Sequence, residues 1–275
     1  MRVNPISTGG GLALTLALTL ALGTGAVRAQ ALPPVVWDVA ATHSQLTAGL
    51  PDGESLSVRA SVALPQGSSL NAELMQERKF GAKGGVVALA YTATLGPDWF
   101  ATGTLVGGNG GPNWANARAD AQVSTKWLEQ RQLVTSAALY RAEFDAGRSD
   151  SGLRLAATWY TELPAVLPTV LPAVLEAGTT FNVSQPGRVH SAMPYVSATV
   201  GRAGQQYLSL RATSGSEAYQ AIGLQTQLVN FRSRSQSATW RQWIGPQWGF
   251  TAQAEHYRNP TYQRKTLGVG LFAQW

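Results

Sequence analysis

The sequence has no cysteine among its 275 residues. A disulfide framework and a thiolate site, whether metal-binding or catalytic, are therefore both excluded. Charged residues are also sparse at 13%, which is less than the water-exposed surface of a soluble protein of this length needs. After residue 29 no apolar run approaches the ~20 residues that a membrane-spanning helix requires. Only a closed β-barrel could carry this chain across a bilayer, and the low charge favours that class.

The N-terminus has the three parts of a secretory signal peptide. Arg2 supplies a positive charge, Gly11–Gly23 is an uncharged apolar run, and residues 27–29 offer small side chains for cleavage. We therefore expect residues 1–29 to be removed and residues 30–275 to form one exported domain. Of 21 basic residues, the loss of the two arginines in the signal leaves 19 against 15 acidic ones. That net charge of +4 is mild and indicates no nucleic-acid partner.

The last twelve residues, Arg264–Trp275, alternate between an apolar face and a face of small or polar residues. This period of two, ending on an aromatic residue, is typical of the closing strand of a bacterial outer-membrane barrel. The alternative is an edge strand of a soluble β-sandwich, which also alternates. On the barrel interpretation the residues expected to form the assembly signal are Leu267, Gly270, Leu271 and Trp275.

Similar alternating segments recur along the whole chain, separated by Gly, Pro, Asn, Asp and Ser. They predict an all-β, transmembrane, up-and-down antiparallel barrel of about 14 strands, with 12 as the alternative, and both termini on the periplasmic side. Segments 108–116 and 214–229 are predicted outer loops. The proline-rich segment 163–175 cannot form a regular helix, so we expect an extended turn at the membrane interface there. The predicted strands lie near 36–45, 54–65, 70–80, 85–95, 98–107, 117–128, 132–144, 151–162, 173–183, 191–201, 205–213, 230–243, 248–257 and 264–275.

Charged side chains identify the face of each strand that points into the lumen. Along residues 117–127, alanines and Val123 alternate with charged and polar residues, and a cation facing lipid at the bilayer midplane would cost ~2–4 kcal/mol. The same reasoning on other strands gives seven inward cations and five inward acids, which can form either a paired plug or a hydrated pore. These predicted lumen-lining residues are Arg59, Glu73, Glu77, Lys79, Arg118, Asp120, Lys126, Arg154, Glu176, Arg211, Arg241 and Glu255.

Side chains for other chemistry are scarce. The three histidines have no neighbours at metal-ligand spacing, so we expect no metal and no cofactor. A barrel-embedded, lipid-modifying hydrolase built on His43 or His190, each followed by a serine, is a weaker alternative because no orienting carboxylate can be assigned. Aromatic residues near the strand ends are expected to form girdles at both membrane interfaces.

Four stretches resemble the YaiO family of outer-membrane barrels: Glu77–Gly81, Gly107–Asn116, Gln206–Gly215 and Arg264–Leu271. The chain departs from the family where it ends in Trp275 rather than Phe and carries Ala273 where an aromatic residue is common. The resemblance implies location and architecture, with a role alongside cell-envelope polysaccharide systems. It implies no reaction and no catalytic residues.

The sequence thus predicts a non-enzymatic barrel in the outer membrane of a Gram-negative bacterium, acting as a narrow channel or as a surface-presenting barrel. A purely structural or surface-binding barrel is the second hypothesis. Expected partners are outer-membrane lipid and lipopolysaccharide, the barrel assembly machinery, and a small solute or polysaccharide. The oligomeric state stays open.

Overall fold

The computed structural model describes residues 35–109, 111, 113–164, 170–223 and 226–275. The predicted signal peptide, residues 1–29, lies outside the described residues. The described chain folds into fourteen antiparallel strands, which confirms the predicted all-β barrel and its strand number. The strands are β1 Val35–Leu46, β2 Gly53–Ala63, β3 Ser69–Lys79, β4 Ala82–Thr94, β5 Trp99–Gly108, β6 Ala117–Trp127, β7 Leu133–Glu143, β8 Ser149–Pro164, β9 Val170–Gln185, β10 Val189–Arg202, β11 Gln206–Ala221, β12 Gln227–Gly245, β13 Trp248–Arg258 and β14 Gln263–Gln274.

The sheet closes because the first strand pairs with the last. β1 and β14 run antiparallel from Val36 opposite Gln274 to Leu46 opposite Arg264. Backbone hydrogen bonds of 3.1 Å in each direction between Val35 and Trp275 extend this pairing to the chain end. Every strand therefore has two neighbours, and no edge presents unpaired N–H and C=O groups to lipid.

Both described chain ends lie at one end of the barrel, which is the periplasmic end in bacterial barrels of even strand number. Two connections at this end are short turns, at Pro246–Gln247 between β12 and β13 and at residues 203–205 between β10 and β11. The longest connection of the opposite, extracellular end is residues 109–116 between β5 and β6. The only helical segments in the described ranges are single 3₁₀ turns at Pro65–Gly67 and Asp145–Gly147. No helix of the described chain is long and apolar enough to cross a membrane.

Alternation along the strands separates an apolar outer wall from a polar interior. The outer wall carries large exposed apolar side chains from every part of the barrel, such as Leu105, Leu139 and Leu267, each at least 65% exposed. The residues between them in sequence turn to the other side of the pleat. An exposed apolar surface of this extent is stable only in lipid.

Two predicted connections are partly strand in the structure. The sequence predicts an outer loop at residues 214–229. This prediction is wrong, because β11 continues to Ala221 and β12 starts at Gln227. Beyond the lipid, both faces of a strand meet polar surroundings, so the alternating signal disappears although the backbone pairing continues. In the proline-rich segment the pairing likewise extends to Leu163 opposite Leu171, and residues 165–169 lie outside the described residues.

The exposed tryptophans mark one end of the wall rather than both. Those on the outer face at the periplasmic ends of their strands are Trp37, Trp99, Trp127, Trp159, Trp248 and Trp275. Other aromatic residues expected in the girdles, including Tyr140, Tyr257 and Trp243, turn into the lumen instead. The prediction of two girdles is therefore wrong for the extracellular end, where Phe181 of β9 is an exposed aromatic residue.

A pair of substitutions tests the facing of β6. Val123 is 47% exposed on the outer wall, whereas the neighbouring Gln122 points inward and donates to Ser124 Oγ at 3.1 Å. We expect Val123→Arg to lower the free energy of unfolding by ~2–4 kcal/mol, because the charge enters lipid near mid-span. Gln122→Arg should change it by less than ~1 kcal/mol, because the pleat turns this side chain into the lumen. The measurement is urea unfolding in phosphatidylcholine vesicles, and equal effects would contradict the assigned faces.

Candidate functional site

Contacts that skip a strand identify the inner face. Arg241 Nη1 on β12 lies 2.6 Å from Asp38 Oδ1 on β1, although β13 and β14 separate these strands in the wall. Tyr140 Oη on β7 donates to Asn182 Oδ1 on β9 at 2.8 Å, above the intervening β8. Side chains can meet over a neighbouring strand only on the concave side of a curved sheet. The inner face therefore consists of the residues in phase with these four.

All twelve predicted lumen-lining residues lie on this inner face. Their alternation places them opposite the exposed apolar residues of the same strands, as Glu73 alternates with the exposed Leu74 on β3. The structure brings most of them into contact with a partner of opposite charge or with an aromatic ring. Their role in solute passage stays a prediction.

Ion pairs join inward charges across and along the strands. Arg59 Nη2 lies 3.1 Å from Glu73 Oε1, between directly opposed residues of β2 and β3. Arg118 binds both carboxylate oxygens of Asp120 at 2.8 and 2.7 Å, a bidentate geometry. Arg154 on β8 reaches over β7 to the same carboxylate, with Nη2 3.6 Å from Oδ1. Asp120 is therefore shared by two guanidinium groups and is the centre of the lumen's largest basic cluster.

Aromatic rings support several of the arginines from the other side. The guanidinium carbon lies 4.3 Å from the ring centroid of Tyr140 for Arg118, 3.8 Å from that of Tyr195 for Arg211, and 3.6 Å from that of Phe272 for Arg241. A planar guanidinium stacks on an aromatic face by cation–π attraction. These stacks hold the arginine planes against aromatic rings of the inner face.

The sequence predictions omit six inward charges. Glu217 lies in the segment predicted as a loop, and Asp38, Arg148, Asp150, Glu162 and Arg264 lie at or near strand ends. Arg264 Nη2 pairs with Glu255 Oε1 at 3.0 Å. Adding two cations and four acids to the predicted seven and five gives nine inward cations and nine inward acids. The inward charges therefore balance, in contrast to the cationic excess that the sequence predicts.

At the extracellular end, four buried side chains pack into one apolar cluster, Phe80, Ile222, Tyr257 and Tyr262. Phe80 and Tyr262 meet edge to face with their centroids 5.4 Å apart. Phe80 occupies the first position of the two-residue β3–β4 turn with φ of 52°, a left-handed conformation typical of such tight hairpins. Burial raises the pKa of Tyr262, which keeps its hydroxyl neutral.

Ile222 reaches this cluster because the β11–β12 hairpin bends over the mouth. We call the end of that hairpin, residues 217–222 and 226–229, the cap. Tyr257 Oη donates to Glu217 Oε1 at 2.8 Å, and Asn259 Nδ2 donates to Gln220 Oε1 at 3.2 Å. On the other side of the hairpin, Tyr219 Oη donates to the carbonyl of Pro186 in the β9–β10 turn. The cap is thus attached both to β13–β14 and to β9–β10.

Two further side chains from extracellular connections enter the barrel. Trp114, only 2% exposed, packs against Met75 and Val86 and donates from Nε1 to Glu77 Oε2 at 3.1 Å. A Cβ atom at Gly84 would lie 2.3 Å from the Trp114 ring, so this contact requires glycine. Arg148, at the end of the β7–β8 turn, is fully buried with its guanidinium 3.5 Å from the Phe144 centroid, and burial lowers its pKa to about 10.

The strand pleat separates each of His43 and His190 from the serine that follows it. His43 and Ser44 are adjacent on β1, so they point to opposite faces, and Ser44 Oγ is 2.8 Å from Thr266 Oγ1 inside the barrel. His190 and Ser191 on β10 are separated by the pleat in the same way. His43 Nε2 lies 3.8 Å from Asp52 Oδ2 on the exposed wall. Within the described ranges, no group of three or more metal-ligating side chains is close enough to hold an ion.

Three of the predicted assembly residues lie on β14, and the fourth, Trp275, directly follows it. Leu267, Leu271 and Trp275 are exposed on the outer wall, at 56% or more. Gly270 points inward, where a Cβ atom would lie 2.6 Å from Thr251 Oγ1 and 2.7 Å from the carbonyl of Val39. Their part in recognition by the assembly machinery stays a prediction.

Residues 37–220 match the family model of the YaiO membrane beta barrel domain. Among solved structures, the chain is similar to a bacterial polysaccharide outer membrane secretin, with a TM-score of 0.54 and 8% identity over 88% of this chain and 98% of that one. It also aligns with an anion-selective porin from Comamonas acidovorans, with a TM-score of 0.47 and 9% identity over 88% and 98% of the two chains. At these identities the structural likeness concerns the fold alone. No curated protein matches the sequence.

Removing the shared carboxylate should destabilise the barrel. Asp120→Asn leaves Arg118 and Arg154 close together without their counter-charge, and breaking such a mostly buried pair costs ~3 kcal/mol. The matched control is Glu143→Gln, whose 2.8 Å pair with Arg141 is solvent-exposed and contributes less than ~1 kcal/mol. Urea unfolding in vesicles measures both. A loss of less than ~1 kcal/mol for Asp120→Asn would show that the arginines are neutralised by other groups.

Proposed function

The chain belongs to the YaiO membrane β-barrel family, and we propose that it is a non-enzymatic, narrow outer-membrane channel that the cap closes at its extracellular mouth. The observation that carries this proposal is the partial exposure of charged side chains on the inner face. The paired side chains of Arg59, Arg154 and Arg241 are 44%, 27% and 22% exposed. Charges on this face do not meet lipid, so their accessible surface faces a hydrated lumen.

The cap supports a closed resting state. Phe80, Ile222, Tyr257 and Tyr262 are each less than 10% exposed, and they exclude water from the mouth. An apolar constriction of this kind stops ions by dewetting even where the rest of a pore is hydrated. Passage therefore requires the cap to move away from the turn that carries Phe80. The contacts to be broken are an apolar cluster and a few hydrogen bonds, not a covalent link.

The lumen's charge balance supports weak selectivity. The inward cations and acids are equal in number, and acids and arginines largely neutralise one another. Lys126 is an exception, since its closest charged or aromatic contact is the Phe100 ring, with Nζ 5.8 Å from the centroid. A free ammonium in a hydrated lumen raises the local concentration of anions. We therefore propose a small and mildly anion-selective conductance.

We also propose that the solute class is saccharide, because the family resemblance implies a link to cell-envelope polysaccharide systems. The stacked tyrosine and arginine planes of the lumen combine apolar faces with fixed hydrogen-bond donors. Sugars bind to surfaces of this type through their C–H faces and hydroxyl groups. Block of the conductance by added oligosaccharide is the corresponding measurement.

A surface-binding barrel without conductance is the second candidate, and the cap favours it. The β11–β12 hairpin extends well past the other strands of its side, to Ala221 and Gln227, and its β12 strand leaves Val229 and Asn230 exposed. In that case its ordered closure over the mouth would be permanent. The conductance experiment distinguishes the two candidates.

Loosening the cap should open the channel. We expect Phe80→Ser with Ile222→Ser to raise the single-channel conductance or open probability at least several-fold over wild type in planar bilayers. The matched control is Leu95→Ser with Ile244→Ser, two exposed apolar residues at periplasmic turns, which should leave conductance unchanged. A silent cap variant that is still fully folded would contradict the channel and favour the surface-binding barrel.

Charge reversal at Lys126 should change the selectivity. Lys126→Glu converts an inward cation without a carboxylate partner among the described contacts into an anion, so reversal potentials in a salt gradient should shift from mildly anion-selective toward cation-selective. Lys265→Glu, on the outer wall, is the control and should leave the reversal potential unchanged. An identical reversal potential for wild type and Lys126→Glu would mean that ions do not pass this residue.

A further inference from the structure

The outer wall near the extracellular end carries a cluster of exposed basic side chains, four cations and one histidine, on three adjacent strands. Its members, which we call the basic strip, are Arg232 and Arg234 on β12, His256 and Arg258 on β13, and Lys265 on β14. All five are in phase with outward-facing residues such as Trp240 and Leu267. They therefore lie on the side of the wall that faces lipid and its headgroups.

The register of the sheet places these cations against one another. Arg234 lies directly opposite Arg258, and His256 directly opposite Lys265. Directly opposed residues have their Cβ atoms ~5 Å apart, and successive outward residues on one strand are ~7 Å apart. The like charges of Arg234 and Arg258 destabilise the sheet in this arrangement. The strip therefore does not stabilise the fold, whereas a bound anion would neutralise its charges.

The strands of the strip supply no such anion. All fifteen acidic residues lie among the described residues, and none is on the outer face of β9 to β14. The outward acid on the neighbouring β1 side, Asp52, lies 3.8 Å from His43 and forms no ion pair with the strip. Glu176, Glu217 and Glu255, the acids of these strands, point into the lumen. Within the strip, His256 Nε2 forms a side-chain hydrogen bond of 3.3 Å with Gln263 Oε1.

Other outward cations of the same rim are arranged differently. Arg78 on β3 lies 4.0 Å from Glu54 on β2, and Arg141 on β7 lies 2.8 Å from Glu143 on the same strand. Lys83 on β4 lies directly opposite Arg78 and has no ion pair of its own among the described residues, but Glu54 pairs with Arg78 beside it. The strip differs in that no carboxylate of the described chain pairs with any of its members.

The height of the strip corresponds to the outer headgroup layer. Lys265 precedes Trp275, in the periplasmic tryptophan ring, by ten residues on β14. At ~3.3 Å per residue and a strand tilt of ~40°, this places Lys265 ~25 Å above the ring, which is the height of the apolar band. Below the strip lies an apolar groove floored by Ala238, Ala252 and Ala254 and bordered by Leu208, Trp240 and Leu267.

We propose that the basic strip binds the phosphate groups of a glycolipid of the outer leaflet, lipopolysaccharide, while acyl chains of the same molecule occupy the groove below. Paired guanidinium groups suit phosphate because each donates two parallel N–H bonds to its oxygens. Arg234 and Arg258 clasp one phosphate, and His256 and Lys265 contact the adjacent part of the headgroup. This inference does not depend on whether the lumen conducts.

Binding is measured with the full chain in phosphatidylcholine nanodiscs, with bisphosphorylated lipid A as the probe. We expect saturable binding that weakens by at least ~tenfold when both phosphates of the lipid are removed. Inorganic phosphate at the same concentration should not compete, because it lacks acyl chains. Equal binding of dephosphorylated lipid A would overturn the role of the phosphates, and competition by inorganic phosphate at equal affinity would overturn the lipid in favour of a free-anion site.

Variants localise the site. Arg234→Gln with Arg258→Gln should weaken binding of the bisphosphorylated probe by at least ~tenfold, and should not lower stability in phosphatidylcholine, because opposed like charges are removed. The matched control is Arg78→Gln with Arg141→Gln, two cations of the same rim with carboxylate partners, which should bind as wild type. Wild-type affinity in the first variant, or an equal loss in the control, would overturn the proposal.

Discussion

The structure depends on one constraint, which is that no backbone N–H or C=O group can face the hydrocarbon layer without a partner. The pairing of β1 with β14 satisfies it, since this contact turns thirteen hairpin-linked pairings into a closed sheet. Closure determines, for all strands together, which face is outside the barrel and which is inside. One face meets lipid and must be apolar, and the other encloses a space in which charges can remain only with partners or with water.

The lumen shows how that enclosed space is used. Its charges are satisfied mostly by one another, as with Arg118, Arg154 and the shared Asp120, and by aromatic faces such as Tyr195 beneath Arg211. The middle of the barrel thus stays polar and partly hydrated, whereas the cap brings Ile222 over the mouth onto Phe80. A hydrated lumen with an apolar closure at one end is the arrangement from which we infer a channel that is closed at rest.

The outer wall is as asymmetric as the lumen. Tryptophans mark its periplasmic end, and the extracellular end carries charged and polar residues, among which the basic strip has no described carboxylate paired with any of its members. The two leaflets of an outer membrane differ in the same sense, because the outer one carries phosphorylated glycolipid. The distribution of Trp248 at one end of β13 and Arg258 at the other is therefore consistent with two different headgroup layers.

The sequence by itself determined the class, the approximate strand number and the side of the wall for the charges in the middle of the strands, because period-two alternation is a local property that lipid enforces on every strand. Glu73, Asp120 and Arg241 could be placed on the inner face from their neighbours alone. Only the tertiary structure decided which charges meet, because Arg241 reaches Asp38 over two strands and about two hundred residues of sequence. It also decided that residues near 214–229 form the cap, since outside the lipid a strand no longer needs an apolar face. Barrel curvature and strand register determine these contacts, and alternation along one strand carries no information about either.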